Sequence, residues 1–295
     1  MSVLATACTT NQARHALDSA SRSRSSEAPP QGRVLADFSD AQSTKSWTLY
    51  QVQGVDRPPQ LTFADGALRV QSNDAAGVFF HDCRVDTSKE SLIGWRWRVS
   101  EVFPDASPFS LERDNFPARV LVGFDASWEG ADEVSLSWKR KVEQHVGNTP
   151  PARALCYNFG GNQPSGEAVD AWFGMGRIVV INLRPPDAKA GQWYSELRDV
   201  ASDYAAIFGE RAPAITHLAV SADTHRNHRS VIADFDDFVA YPVTAAGVLA
   251  PQIGEHVIAH SQSPLALWTI GAGGLAALVL VAAGAFVLRR RKLET

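Results

Sequence analysis

What the chain lacks narrows its reading first. Cysteine occurs three times in 295 residues, at Cys8, Cys83 and Cys156, and no two of these share a CxxC spacing. That excludes a disulfide framework and gives no sign of a zinc or dithiol site. Cys83 and Cys156 stay open to two readings, a single bridge in an exported domain or two buried thiols acting as small hydrophobes. Lysine is also scarce, six of the 28 basic residues. Removing the four cations and one anion of residues 289–295 leaves 24 basic against 31 acidic residues, a charge of −7 over 1–288. A nucleic-acid binder needs a concentrated basic face to displace counterions from phosphates, and an acidic body with scattered arginines argues against that role. No GxSxG, HExxH, P-loop or dinucleotide fingerprint occurs, none of the serines sits in a nucleophile motif, and no cofactor is called for. There is no internal repeat.

Absence of charge marks the C-terminus. Residues 265–288 read LALWTIGAGGLAALVLVAAGAFVL and run directly into Arg289-Arg290-Arg291-Lys292. At helical rise this stretch spans about 36 Å, enough to cross a hydrocarbon core with some tilt. No Lys or Arg lies between Arg229 and Arg289, so the positive-inside rule puts the basic tail in the cytoplasm and the main domain outside. A tail anchor with the domain in the cytoplasm is the competing topology, because the N-terminus MSVLATACTTNQ has neither the cationic nor the apolar region of a secretory signal. Ala5-Thr6-Ala7-Cys8 resembles the end of a bacterial lipobox, with Ala5 where Leu is usual, which makes Cys8 a candidate for lipidation. The segment that follows is rich in Ser, Ala and Arg and poor in large apolar residues, the composition of a disordered tether. The expected organisation is therefore a tether over 1–33, a folded domain over 34–242, a linker over 243–264, a transmembrane helix over 265–288 and a basic tail over 289–295.

Between 34 and 242 the punctuation is that of a β-protein. Asp65-Gly66 separates two short apolar runs, 61–63 and 67–70, as a hairpin turn would. In 93–99, Trp95, Trp97 and Val99 alternate with Arg96 and Arg98, and in 119–124 Val120, Val122 and Phe124 share one face. Further strands are read at 77–81, 133–138, 154–159, 177–182, 217–222 and 231–241. One segment, 199–208, has helical period, with Val200, Tyr204, Ile207 and Phe208 on one face and Gly209 at the C′ position. Many strands, one short helix and no βαβ alternation predict an all-β fold, an antiparallel two-sheet β-sandwich of jelly-roll type. Trp95, Trp97, Val120, Val122, Leu155 and Tyr157 are its expected core.

The ordered fragments Trp95-Arg96-Trp97-Arg98-Val99, Ala118-Arg119-Val120, Phe124-Asp125 and Leu155-Cys156-Tyr157 resemble the bacterial family called domain of unknown function 3047. Gln192-Trp193, Arg198-Asp199-Val200, Asp203-Tyr204, Phe208-Gly209, Pro213 and Asp223-Thr224 continue the likeness, which covers roughly 34–241. The resemblance implies an exported, β-rich domain and no particular activity; the apolar stretch and its one-sided charge put that domain at the bacterial cell envelope, periplasmic or on the cell surface. The chain departs from the family where Asp223-Thr224 continues as His225-Arg226-Asn227 in place of Asp-Asn-Thr.

Arg96, Arg98 and Arg119, with Tyr157, Asn158 and Asp223, are the candidate ligand contacts: a polar groove on one sheet face for a glycan or similar envelope polymer, where arginine offers bidentate contacts. The plainer alternative is cross-strand pairing of the arginines with Asp125, Asp223 or Asp234. Tyr157 is the least secure, since its ring is also a core candidate. Asp223, His225 and His228 are metal-ligand residue types, but their spacing fits an exposed turn, so no metal is expected. Asp234, Asp236 and Asp237 read as solvated alternate positions rather than a Ca²⁺ site. The alternatives to a binding module are a polysaccharide hydrolase or lyase, for which Glu133, Asp223 and Asp236 are available carboxylates, and a structural partner-binding domain.

Overall fold

Alternation of buried and exposed residues creates two sheets, each with one face turned to the other. The computed structural model describes residues 31–245, apart from 37, 39, 40, 53 and 173. Cys8, nearly all of the expected tether, the apolar stretch 265–288 and the basic tail lie outside the described residues, and no helix among the described residues is long and apolar enough to cross a membrane.

The strands are β1 (Arg33–Ala36), β2 (Trp47–Gln51), β3 (Gln60–Ala64), β4 (Ala67–Asn73), β5 (Gly77–Val85), β6 (Leu92–Val99) and β7 (Arg119–Phe124). After helix α1 (Glu133–Val146) come β8 (Arg153–Asn158), β9 (Ala168–Asp170), β10 (Ile178–Asn182) and β11 (Tyr194–Asp199), then helix α2 (Val200–Phe208), β12 (Ile215–Ser221) and β13 (Ser230–Tyr241). One sheet has the order β11-β6-β13-β4-β3, with β1 also pairing to β13, and the other the order β2-β5-β12-β7-β8-β10-β9. We call them the six- and seven-stranded sheets. Their inner faces meet through Trp95 against Tyr157, centroids 5.3 Å apart, Trp97 against Phe159 at 5.2 Å and Phe238 against Trp47 at 6.1 Å. The result is a β-sandwich, and all six expected core residues are fully buried.

Three departures from the sequence reading have local causes. Residues 133–138 form the first turns of α1, not a strand. The alternation of Val134, Leu136 and Trp138 imitates a strand for six residues, but Trp138, Val142 and Val146 continue at helical spacing and pack on Tyr50, Phe80 and Ala219 of the seven-stranded sheet. Asp132 caps the helix by accepting from Ser135 N–H at 2.9 Å, and Gly147, at φ 83°, closes it. Second, the seven-stranded sheet is mixed, because β8 and β10 pair in parallel through the crossover that carries β9. Third, β11 was not read as a strand because its inward positions include Glu196 and Arg198. The expected α2 is present, capped by Asp199 and Gly209. The expected 65–66 turn joins β3 to β4, with Asp65 and Gly66 at φ 55° and 75°.

Trp97 is fully buried and its indole N–H donates to Glu196 Oε1 at 2.7 Å. Trp97→Ala removes a large core side chain and strips that carboxylate of a donor, so urea denaturation should show a loss of about 3–5 kcal/mol. A loss under 1 kcal/mol would contradict this packing.

Candidate functional site

The six sequence-predicted contacts fall in three places. Arg96 and Arg98 lie on the outer face of the six-stranded sheet, opposite Asp236 and Asp234 of β13 in the strand register. Arg98 donates to Asp234 at 2.8 Å, and Arg96 to Asp236 at 2.5 and 3.1 Å. Tyr157 belongs to the interior. Its hydroxyl donates to Asp203 at 2.8 Å, and burial pushes the phenol well above its ordinary pKa, so it takes no part in a surface groove. Arg119, Asn158 and Asp223 converge elsewhere, on the outer face of the seven-stranded sheet. No single groove holds all six: strand alternation turns Tyr157 inward, and Arg96 and Arg98 lie on β6 of one sheet whereas Arg119 and Asn158 lie on β7 and β8 of the other.

Arg119 and Asn158 are register partners on β7 and β8. Arg119 donates through Nε to Asn158 Oδ1 at 3.2 Å, makes a short contact to the Asp114 carboxylate, and lies 4.7 Å from the Phe116 ring centroid. Asp114 and Arg119 are 6% and 7% exposed. The second oxygen of Asp114 accepts from Trp172 Nε1 at 3.0 Å, and the Trp172 backbone N–H donates to Pro108 O at 3.0 Å. One buried carboxylate therefore joins the chain before β7 to the chain after β9.

A third loop is tied in beside them. Asp223 N–H donates to Phe116 O at 3.0 Å, and Asn115 Oδ1 accepts from Arg226 and Asn227 N–H at 2.9 and 3.3 Å. Gly161, at φ 96°, packs so close to Phe116 that a Cβ would lie 2.6 Å from its ring. The loops that tie into this polar floor also carry exposed large apolar side chains: Trp172, 43% exposed, and Phe109, 60% exposed, in the segments joined by the Trp172 N–H to Pro108 O bond. Buried Asn158 Nδ2, Gln163 Oε1 and Asn182 Oδ1 have no protein hydrogen-bond partner. Such atoms are costly to bury and rare in native interiors.

The electrostatics follow from burial. Burial pushes the Asp223 carboxyl up to about 6, against the opposing pull of Arg119, and raises Asp114 for the same reason despite Arg119 and Trp172. Cys156, whose thiol donates to Asn158 Oδ1 at 3.4 Å, is pushed up to about 12 by burial and stays protonated. It is not a nucleophile. Cys83 is also free. It lies on β5, with β12 and β7 between it and Cys156 on β8, a separation of about 14 Å at ordinary strand spacing, which a disulfide cannot bridge. The His225 backbone N–H donates to Asp223 at 3.1 Å, but the rings of His225 and His228 are not held by it. They turn to Asp74, at 3.8 and 2.8 Å, and no group of three His, Cys, Asp or Glu able to hold a metal occurs among the described residues.

Sequence reasoning missed Asp114, Phe109 and Trp172. The available signal was Trp172 itself, an aromatic residue set in a Gly- and Asp-containing stretch outside any alternating run.

A carboxyl whose folded pKa exceeds its unfolded value binds its proton more tightly in the native state, so its contribution to stability is complete below the unfolded pKa and is lost as pH rises through the folded one. Asp223, pushed from 3.8 up to about 6, and Glu196, pushed from 4.5 up to about 7, both have this sign. Unfolding free energy should fall between about pH 4 and pH 7, and Asp223→Asn should flatten the lower part of that slope in urea titrations. An unchanged slope would refute the burial of this carboxyl.

No curated relative matches the sequence. Among solved structures, a family 11 carbohydrate-binding module from Clostridium thermocellum, in complex with a mixed-linked tetrasaccharide, aligns at 10% identity over 71% of this chain and 95% of its own, with a TM-score of 0.33. A cellulase derived from Cel12A of Rhodothermus marinus aligns at 12% identity over 73% and 97%, with a TM-score of 0.37. A family 12 xyloglucanase from Bacillus licheniformis aligns at 10% identity over 72% and 97%, with a TM-score of 0.36. Identities and TM-scores this low carry no information about the activity of this chain. The family described as protein of unknown function DUF3047 matches residues 36–239, and the chain belongs to it.

Proposed function

We propose that the chain is a non-catalytic glycan-binding module, with Trp172 as the stacking platform and Asp223 as the polar contact beside it. The observation that carries this reading is the bond from the Trp172 indole to Asp114. A partly exposed indole is held in one orientation by a buried carboxylate, which Arg119 in turn holds. An aromatic face fixed at the surface suits the apolar C–H face of a sugar ring, and it binds without first losing rotamer freedom. Arg119 and Asn158 act here as supports, not as ligand contacts.

A second reading is favoured by one observation: a carboxyl raised to about 6, such as Asp223, keeps a fraction of its protons near neutral pH, as a general acid needs. Glycoside cleavage needs a second carboxylate facing it across a cleft. Asp114 is instead engaged by Arg119 and Trp172, which is why binding is preferred.

A glycan array with the full chain, paired with reducing-sugar assays on each hit, separates the classes. Binding without turnover, weakened about tenfold or more in Trp172→Ala, fits the proposal; a tenfold change corresponds to about 1.4 kcal/mol. Turnover that stops in Asp223→Asn would make the protein a hydrolase, and no glycan binding would leave a structural partner-binding domain.

The same proposal sets the module at the bacterial membrane, outside the cell, anchored by residues 265–288 with Arg289–Lys292 cytoplasmic. Its support is the uncharged length of that stretch and the one-sided charge beside it. Protease added to spheroplasts should digest the domain without lysis; protection until lysis would reverse the orientation. Mass spectrometry of the same sample tests whether Cys8 is lipidated.

A further inference from the structure

We infer that the outer face of the six-stranded sheet carries a second platform, built on Trp193 and suited to a neutral polysaccharide, so that one chain holds two polymer strands on opposite sides of the sandwich. This rests on the reading of Trp172 as the first platform.

Trp193 reaches that face from the turn before β11. Gly191, at φ 77°, makes the turn and its N–H donates to Val99 O at 2.7 Å. The Trp193 ring centroid lies 4.7 Å from the guanidinium carbon of Arg96 and 4.7 Å from that of Arg98. These two arginines occupy alternate positions of one strand, so the indole lies across both. Both guanidiniums are paired. Arg98 and Arg69 both bond Asp234, Arg69 at 2.7 and 3.0 Å, and Arg96 bonds Asp236. Trp193 therefore rests on a lattice of ion pairs, as Trp172 rests on Asp114.

The charge of the lattice decides the ligand class. Three arginines (Arg69, Arg96 and Arg98) face four aspartates (Asp65, Asp234, Asp236 and Asp237), and each arginine contacts at least one of them. A polyanion would find no unneutralised cation here. A neutral sugar would find the outer part of a half-buried indole for its C–H face, and the carboxylates of Asp65 and Asp237 for its hydroxyls, whose side chains are 71% and 64% exposed although each also pairs with an arginine. Asp237 is on this face only because β13 bulges between Asp236 and Val239, with Asp237 at φ 54°. The cross-strand partner of Arg96 is already Asp236, so Asp237 is a second carboxylate beside that arginine, in a left-handed conformation that aspartate tolerates better than most non-glycine residues. Burial and the neighbouring Asp236 raise the Asp237 carboxyl, and Arg96 opposes them.

Opposition of the two platforms is a consequence of the sandwich. Arg96 and Arg98 alternate with inward Trp95 and Trp97, while Arg119 and Asn158 adjoin inward Val120 and Tyr157. Two sheets packed on their inner faces turn their outer faces in opposite directions.

The test is calorimetric stoichiometry with the full chain. The probes are hexasaccharides prepared from dextran, mixed-linkage β-glucan, xylan and galactomannan, with hexagalacturonate as the anionic control. Two molecules of at least one neutral probe should bind per chain, falling to one in Trp193→Ala and one in Trp172→Ala, with unfolding transitions unchanged. Asp237→Asn, which keeps the backbone and the side-chain shape, should weaken one of the two sites about tenfold. Wild-type stoichiometry of one that Trp193→Ala leaves intact would overturn the second platform alone. Loss of the only site in Trp193→Ala, with Trp172→Ala unaffected, would overturn the first platform. Preference for hexagalacturonate would overturn the neutral ligand class, and binding of none of these probes would overturn both platforms.

Discussion

Arg198 and Asp203 meet between the two sheets at 2.6 and 3.0 Å, and the Tyr157 hydroxyl donates to the same carboxylate at 2.8 Å. A short distance along β11, Arg184 and the Trp97 indole both donate to Glu196, at 2.6 and 2.7 Å. These groups come from β11, the start of α2, β8, β6 and the segment after β10, so they lock both sheets and one helix into a single register. Replacing such buried pairs by apolar side chains is often neutral, whereas removing one partner costs about 3–5 kcal/mol. Their contribution is therefore positional. In this arrangement of β11 against β6 and β8 each of these charges has a partner, and the segment that carries Trp193 outward leads directly into it.

The same device recurs outside the sandwich, where Arg119 and Asp114 are buried beneath loops instead of between sheets. Here the partners are a strand residue and a loop residue, and the group being positioned is the Trp172 indole. On the far face the pairs of Arg69, Arg96 and Arg98 are more exposed, and exposed pairs contribute little to stability individually. Trp193 covers two of those guanidiniums and reduces their contact with water. The two tryptophans thus depend on opposite arrangements: one is oriented by a pair already buried, the other lies over a pair that it helps to shield.

The sequence made the architecture legible wherever alternation was apolar-in and polar-out. β6 and β7 show this, since Trp95, Trp97, Val120, Val122 and Phe124 could be placed inward by period alone. β11 inverted the rule by turning Glu196 and Arg198 inward, and no single-residue property shows that a charge will find a buried partner far along the chain. α1 was illegible for another reason, because Val134, Leu136 and Trp138 satisfy a strand pattern before the helical period has room to appear. The structure brings Arg119, Asn158 and Asp223 together and places Arg96 and Arg98 on the other sheet. Their separation depends on which sheet each strand enters, and that pairing is non-local. Asp114 and Trp172 lie in loops, where periodicity says nothing.

The β13 bulge shows how one backbone irregularity sets chemistry on both faces of a strand. In a regular strand Phe235 and Phe238 would point to opposite faces, because they lie three positions apart. The register shift between Asp236 and Val239 lets both phenylalanines turn inward, where each is fully buried and Phe238 packs on Phe38 and Trp47. The extra residue must then go outward, and it is Asp237, within 3.0 Å of Arg96. Without the bulge the core would lose one aromatic ring from the contact with β2, and the outer face would lose its second carboxylate at Arg96. Aspartate is among the few non-glycine residues that tolerate the left-handed conformation required there. The inner packing of Phe238 and the outer acidity beside Trp193 are thus one constraint: a substitution at Asp237 that restored regular alternation would have to turn one of two buried phenylalanines into solvent.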